Sequence, residues 1–258
     1  MVIIKTAAEI ESMRHAGKLA GECLTAMLKL VKVGVTPLEI DKACREWTKK
    51  HSAIPAPLNY NGFPASLCVS VNDVVCHGIP DKRAFKKGDV VNLDVTPILD
   101  GFHGDTNATM VVGQSLAEAP KEIAHLIQTT LLSMWDGIRQ VKPGASLGDI
   151  GHAIQKRVEG EGFSVVREYC GHGIGRVFHE DPMVVHVGKP GQGVKIREGM
   201  IFTIEPMVNL GKKNVFLEDD EWTVRTADGS ISAQFEHTIL VTPTGYEVLT
   251  LRTGEQIP

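Results

Sequence analysis

Three features of the sequence predict an α+β fold with largely antiparallel strands. Helical stretches cluster ahead of strands in each half of the chain, whereas parallel-sheet folds alternate the two. A segment near residue 31 recurs about 110 residues later. The dipeptides Asp100-Gly101 and Asp228-Gly229 stand between apolar runs and are hairpin turn signals.

The elements follow in order. Helices are expected over about 7–32, 37–51, 119–141 and 147–161. Residues 31–40 align with 141–150, and each segment ends one helix and opens the next. Thr36-x-x-Glu39 and Ser146-x-x-Asp149 read as capping boxes, in which a hydroxyl accepts from an orphan amide while the acid reaches back. Gly34 and Gly144 stand where the preceding helix should stop. Strands are expected near 67–71, 89–97, 102–112, 164–168, 200–209, 222–227 and 231–242. Lys87–Asp94 echoes Glu198–Glu205: a charged residue, a glycine, then a strand ending in a carboxylate. His77-Gly-Ile echoes His172-Gly-Ile. The repeat predicts one domain over residues 1–258, closed from halves of about 1–115 and 116–258.

Composition narrows the function classes. The chain has 258 residues, 43% of them hydrophobic, and 27 Lys+Arg against 31 Asp+Glu give a net charge of −4. Disorder would need fewer apolar residues and more net charge. No basic run exceeds pairs such as Lys49-Lys50 and Lys212-Lys213, which argues against nucleic-acid binding. No apolar stretch approaches the ~18–20 residues of a membrane span. Lys5, Glu9, Glu11 and Arg14 exclude a signal peptide. Five cysteines with no C-x-x-C predict reduced thiols and a cytoplasmic protein.

The acids and histidines carry the chemistry. If Asp100-Gly101 forms a two-residue hairpin loop, 99 pairs with 102 and 94 with 107. Asp94 and Asp105 then share a face as diagonal neighbours, with Cα atoms roughly 7–8 Å apart. Such a pair among Val90, Val91 and Leu93 repels itself unless a cation lies between. One pair alone reads as solvated acids on an open sheet face. The second half adds Glu205 and Glu236 on equally apolar strands, and four acids at repeat-related positions point to a site. His172 lies in Cys170-Gly-His-Gly-Ile-Gly175, where glycines let the backbone crowd a bound group. His179 follows seven residues later, and His77 carries a similar, weaker signal. His15, His51, His125 and His152 read as surface, and His103, His186 and His237 as satisfied polar residues. Gly144-x-Ser146-x-Gly148 matches a nucleophile elbow but follows a helix instead of a strand, so Ser146 is a cap.

Four carboxylates and one imidazole suit two divalent first-row ions better than calcium or structural zinc. Two such ions some 3.5–4 Å apart make hydroxide from a bridging water near neutral pH. Uncoordinated His77 and His179 would hold the substrate carbonyl and its oxyanion.

The ordered segments Asn59-Tyr-Asn-Gly-Phe-Pro64, Val75-Cys-His-Gly-Ile-Pro80, Asn92-Leu-Asp-Val-Thr96, Gly101-Phe-His-Gly-Asp-Thr106, Gly171-His-Gly-Ile-Gly175, Phe178-His-Glu-Asp-Pro182, Phe202-Thr-Ile-Glu-Pro206 and Ser232-Ala-Gln-Phe-Glu-His-Thr238 resemble those of type I methionine aminopeptidases. The likeness runs from about residue 4 to 252. It implies the pita-bread fold, two pseudo-symmetric α+β halves. It implies two divalent ions (Mn, Fe, Co or Zn): Asp94 on one, Asp105 and Glu236 bridging, His172 and Glu205 on the other. Glu205 would accept the proton of the attacking water, and His179 and His77 would contact the scissile peptide. Tyr60, Phe63, Cys68, Phe178 and Trp222 would form the methionine pocket. The implied reaction removes the initiator methionine from nascent chains whose second residue is small. The implied partners are those N-terminal peptides and the ribosome near its exit tunnel, and a monomer is expected. Asn61 stands where the family often has His, Pro97 where a hydrogen-bonding residue is usual, and Glu221 where Gly is common. Pro97 predicts an edge or bulge. The rival readings are an X-Pro peptidase of the same fold and a non-catalytic binding protein on the same scaffold.

Overall fold

Thr6 and Glu9 start the first helix by exchanging hydrogen bonds: the Glu9 amide donates to Thr6 Oγ1 at 3.3 Å, and the Thr6 amide to Glu9 Oε2 at 2.9 Å. This helix, α1, spans Ala7–Leu28 in the computed structural model, which describes residues 2–258. Thr36 and Glu39 form the same box ahead of α2 (Pro37–Lys50). The first half continues with β1 (Ile54–Pro55), β2 (Cys68–Val71), β3 (Val74–Cys76), β4 (Val90–Val95), β5 (Pro97–Leu99), β6 (Phe102–His103) and β7 (Thr106–Val111). Then come α3 (Lys121–Ile138) and α4 (Leu147–Gly160), the latter opened by Ser146 with its amide on Asp149 Oδ2 at 2.7 Å. The chain closes with β8 (Ser164–Val165), β9 (Gly171–Gly173), β10 (Glu180–Val184), β11 (Ile201–Ile204), β12 (Met207–Asn209), β13 (Val215–Leu217), β14 (Val224–Thr226), β15 (Ser232–Gln234), β16 (His237–Val241) and β17 (Tyr246–Val248).

Helices α1 and α3 stop three to four residues short of expectation. Beyond Leu28 and Ile138 the chain tightens into i→i+3 turns, Val31 N to Leu28 O and Val141 N to Ile138 O. The repeat then shows itself in hydrogen bonds. Gly34 N donates to Phe85 O and Phe85 N to Val35 O; Gly144 N donates to Ile196 O and Ile196 N to Ala145 O. Gly34 and Gly144 take φ of 87° and 89°, a conformation open to glycine at no steric cost.

Among the described residues every strand pairing is antiparallel, in five small sheets. The largest runs β10-β9-β11-β16-β17, and β4 is the centre of β2-β4-β7. The Asp100-Gly101 turn sets the expected register: Leu99 faces Phe102 and Asp94 faces Asn107. Asp228-Gly229 also turns the chain, with Gly229 at φ 72°, but it does not make a hairpin. The strands it joins, β14 and β15, pair in different sheets.

Strands expected as continuous over 102–112, 200–209 and 231–242 are each broken. Asp105 lies between β6 and β7, Glu205 between β11 and β12, and Glu236 between β15 and β16. Pro206 has no N–H to continue a ladder, which helps end β11. Pro97 opens β5 after the break at Thr96, the strand position that tolerates proline. Outside the ladder, a side chain is freed from strict alternation, and three acids turn inward at these breaks.

The largest apolar cluster joins the helices to the central strands, with smaller clusters beside it. Leu24 of α1, Trp135 of α3 and Ile150 of α4 pack with Leu93 of β4 and Phe202 of β11. All five are fully buried, each contributing roughly 1.5–3 kcal/mol of transfer energy. Among the described residues, no helix is long and apolar enough to cross a membrane.

Candidate metal centre and its cavity

The four acids and His172 come from five places in the chain, namely β4, the β6–β7 break, β9, the β11–β12 break and the β15–β16 break, and they meet. Asp105 is held by Thr96, whose hydroxyl donates to Oδ1 at 2.8 Å. Glu236 Oε2 accepts from Asn107 Nδ2 at 2.8 Å. Glu205 accepts from Thr203 Oγ1 at 2.7 Å and from Gln234 Nε2 at 3.2 Å. Its amide donates to His186 Nε2 at 3.2 Å. Asp94 Oδ1 is buried with no hydrogen-bond partner.

His172 occupies β9, squeezed between β10 and β11. A Cβ on Gly171 would strike the Thr203 carbonyl, and one on Gly173 the Asp181 carbonyl. The glycines therefore let strands approach one another; the expectation that they admit a bound group is corrected. His172 Nδ1 lies 3.0 Å from Gly173 O and so carries the proton. Nε2 then points its lone pair at Asp105 Oδ2 (3.6 Å) and Glu205 Oε1 (3.7 Å). Donor atoms of Asp105, His172 and Glu236 all lie within 4.8 Å of one another.

Acceptors aimed at each other are unfavourable without a cation. Desolvation, then the charges of Asp105 and Glu205, raises Asp94; Glu236 rises for the same reasons. Desolvation raises Asp105 to about 7, and desolvation with the Asp105 charge raises Glu205 to about 8. Desolvation holds His172 down at about 4, so its imidazole is neutral at physiological pH and its Nε2 lone pair can accept a cation. The orphaned Asp94 oxygen and the mixed oxygen and nitrogen donors fit a divalent first-row cation.

The acids and His172 line a cavity of about 270 Å³. The other sequence-predicted residues, Tyr60, Phe63, Cys68, His77, Phe178, His179 and Trp222, line it too. Phe63 meets Trp222 edge-on at 5.1 Å, and Phe178 stacks on His179 at 4.2 Å. Tyr60 reaches His179 Nδ1 at 2.8 Å. His77 sits at φ 55°, edge-on to Tyr169 and Trp222, and desolvation lowers its pKa to about 4.

Sequence reasoning missed several contributors. Tyr169 and Cys170 line the cavity, and their place directly before Gly171-His172 was the available signal. Met207 also lines it, two residues after Glu205. His186 and His103 are satisfied as expected only in part. His186 Nε2 accepts from Glu205, while its buried Nδ1 has no partner. His103 binds Gly175 O at 2.9 Å and stacks on Phe178 at 5.5 Å, which ties it to the site wall.

A larger cleft of about 790 Å³ lies beside Asp73, Asp89 and Glu218. Its acids are already paired: Asp73 and Glu218 with Arg225, Asp81 with Arg83, Asp89 with Asn72, and Asp220 with Thr223.

The profile of Metallopeptidase family M24 matches residues 11–243. The chain is 52% identical to methionine aminopeptidase A of Synechocystis sp., over 94% of this chain and 95% of that protein. It is 51% identical to the methionine aminopeptidase of Escherichia coli K12, over 100% and 97%. Its structure is similar to that of methionine aminopeptidase from Rickettsia prowazekii, with a TM-score of 0.94, 50% identity and coverage of 97% and 100%. A prolidase from Pyrococcus furiosus shares the fold at a TM-score of 0.76 and 21% identity, with 96% of this chain matched to 65% of that one. With an M24 profile over most of its length and acids converging on one imidazole, the chain belongs to metallopeptidase family M24, in its pita-bread fold.

Proposed function

We propose that this protein is a methionyl aminopeptidase that removes the initiator methionine from nascent polypeptides whose second residue is small. The observation that carries the reading is one cavity with two kinds of wall. Its polar side is the acid and imidazole cluster; its apolar side is Phe63, Phe178, Trp222, Tyr60 and the Cys68 thiol. Aromatic rings and sulfur suit a flexible thioether.

Two divalent ions are the proposed complement, drawn from Mn, Fe, Co or Zn. Asp94 would bind one, Asp105 and Glu236 would bridge, and His172 and Glu205 would bind the other. When bound, the ions supply Lewis acidity and neutralise the clustered carboxylates. Glu205 accepts a proton from the attacking water and returns it to the departing amine. Its two hydrogen bonds, from Thr203 and Gln234, keep that carboxylate oriented. His179 and His77, both neutral, donate to the scissile carbonyl oxygen and to the oxyanion it becomes. Residues 1–258 work as one catalytic domain of two halves, 1–115 and 116–258. The protein acts as a cytoplasmic monomer on chains leaving the ribosome.

The test gives metal-free protein Met-Ala-Ser and Ala-Pro-Ser, then titrates Mn, Fe, Co and Zn. Release of methionine from the first peptide alone is expected. Cleavage of only the proline peptide would move the assignment to an X-Pro peptidase, and no turnover with any metal would leave a binding protein.

A further inference from the structure

Lys5 and Glu180 form an ion pair 2.5 Å long whose side chains are only 3% and 7% exposed. Taking two charges out of water is costly, and an apolar pair of similar volume often stabilises a fold as well or better. The pair therefore calls for a role other than stability.

Its surroundings supply one. Glu180 directly follows His179, and its other oxygen accepts from the Val177 amide at 3.4 Å. Gly175 N donates to Val177 O at 3.2 Å. The Glu180 carboxylate and this bond thus close the turn that carries Phe178 and His179. A Cβ at Gly175 would run into Lys5 Nζ, so ammonium and turn are packed without slack. The Lys5 amide in turn donates to Gly199 O at 2.9 Å, just ahead of β11, and Gly199 N donates to Val241 O at the end of β16. These are the strands that lead to Glu205 and follow Glu236.

We propose that Lys5 is a positioning residue: through Glu180 it fixes the Phe178-His179 turn against the strands that carry the metal ligands, so that His179 meets the substrate carbonyl. This rests on His179 contacting substrate. A displacement of about 1 Å at such a contact costs on the order of 10²-fold in rate.

The experiment compares metal-loaded full-length wild type, Lys5→Met, Lys5→Met/Glu180→Met, His179→Ala and Lys5→Met/His179→Ala on Met-Ala-Ser. It reads kcat, KM and metal stoichiometry. Lys5→Met is expected to lower kcat about 10- to 100-fold, with KM changed little and metal stoichiometry intact. If it does not fold, the double methionine variant, which buries no lone charge, carries the test with the same expected loss. The loss should vanish in the His179→Ala background, because both substitutions remove one interaction. Wild-type kcat in the folded variant, or an equal loss in both backgrounds, would overturn the positioning role. Failure of the underlying reading looks different: wild type would release no methionine, or His179→Ala would match wild type.

Discussion

The Tyr60 phenol oxygen lies 2.8 Å from Nδ1 of His179, across 119 residues of sequence. Partial desolvation and the neighbouring imidazoles of His172, His77 and His103 lower the His179 pKa, so the ring is neutral and carries one proton. With the phenol donating to Nδ1, that proton sits on Nε2 and is free for a substrate oxygen. Tyr60→Phe should lower kcat for Met-Ala-Ser by roughly three- to tenfold, the worth of about one neutral hydrogen bond. Steady-state kinetics with metal titration would check it; unchanged kcat would mean the tautomer is fixed otherwise.

Glu205→Gln keeps the shape of a side chain held by Thr203 and Gln234 while removing its basicity. Turnover should fall by on the order of 10²–10⁴-fold, the usual worth of a general base. Single-turnover assays at saturating metal would measure it, and near-normal turnover would remove Glu205 from that role.

Metal-free protein should lose stability as pH rises from about 6.5 to 8. Desolvation raises Glu205 to about 8 and Asp105 to about 7, so in this window the folded state holds protons that the unfolded state has released. More protons on the native state means stability falls with pH, by up to about 1.4 kcal/mol per unit for each proton. Below 6.5 the sign is mixed. His77, His172, His179 and His186 have lowered values, so the unfolded state binds more protons there and stability gained from them grows as pH rises. Thermal melts with chelator should slope downward above pH 6.5, and excess Mn should flatten the slope. A flat metal-free profile would show that the carboxylates ionise without cost.

Glu221 sits at φ 65°, a left-handed conformation that a side chain resists, beside cavity-lining Trp222. Glu221→Gly should stabilise the protein by about 0.5–1 kcal/mol after glycine's own chain entropy is subtracted. Methionine recognition should hold, because the Trp222 amide is fixed by Asp220 Oδ1 at 2.9 Å. Denaturant melts and KM for Met-Ala-Ser would test both halves; a lower midpoint would show that the Glu221 side chain is itself stabilising.

Local pattern made much of this legible. The Asp100-Gly101 turn alone fixes Asp94 opposite Asn107, because strand pairing counts outward from a two-residue loop. The capping boxes at Thr36 and Ser146 mark helix starts to the residue. The strand breaks at Asp105, Glu205 and Glu236 were missed, although Gly104 and Pro206 beside the first two were available signals; at Glu236 no turn residue marks the break. The groups that hold the acids were not legible. Asn107 reaches Glu236 across 129 residues, and Lys5 reaches Glu180 across 175. Such bonds depend on which sheet each strand joins, and no periodicity records that.

The spread of the donors along the chain fixes the order of assembly. A chain made from its N-terminus presents Asp94 and Asp105 early, on one hairpin, while Glu236 waits for β15 and β16 near the other end. The five-donor set therefore does not exist until the strands around Glu236 have joined those around Asp94 and Asp105. A cation that needs all five donors binds the folded chain and not the unfolded one, and so favours the native state by mass action.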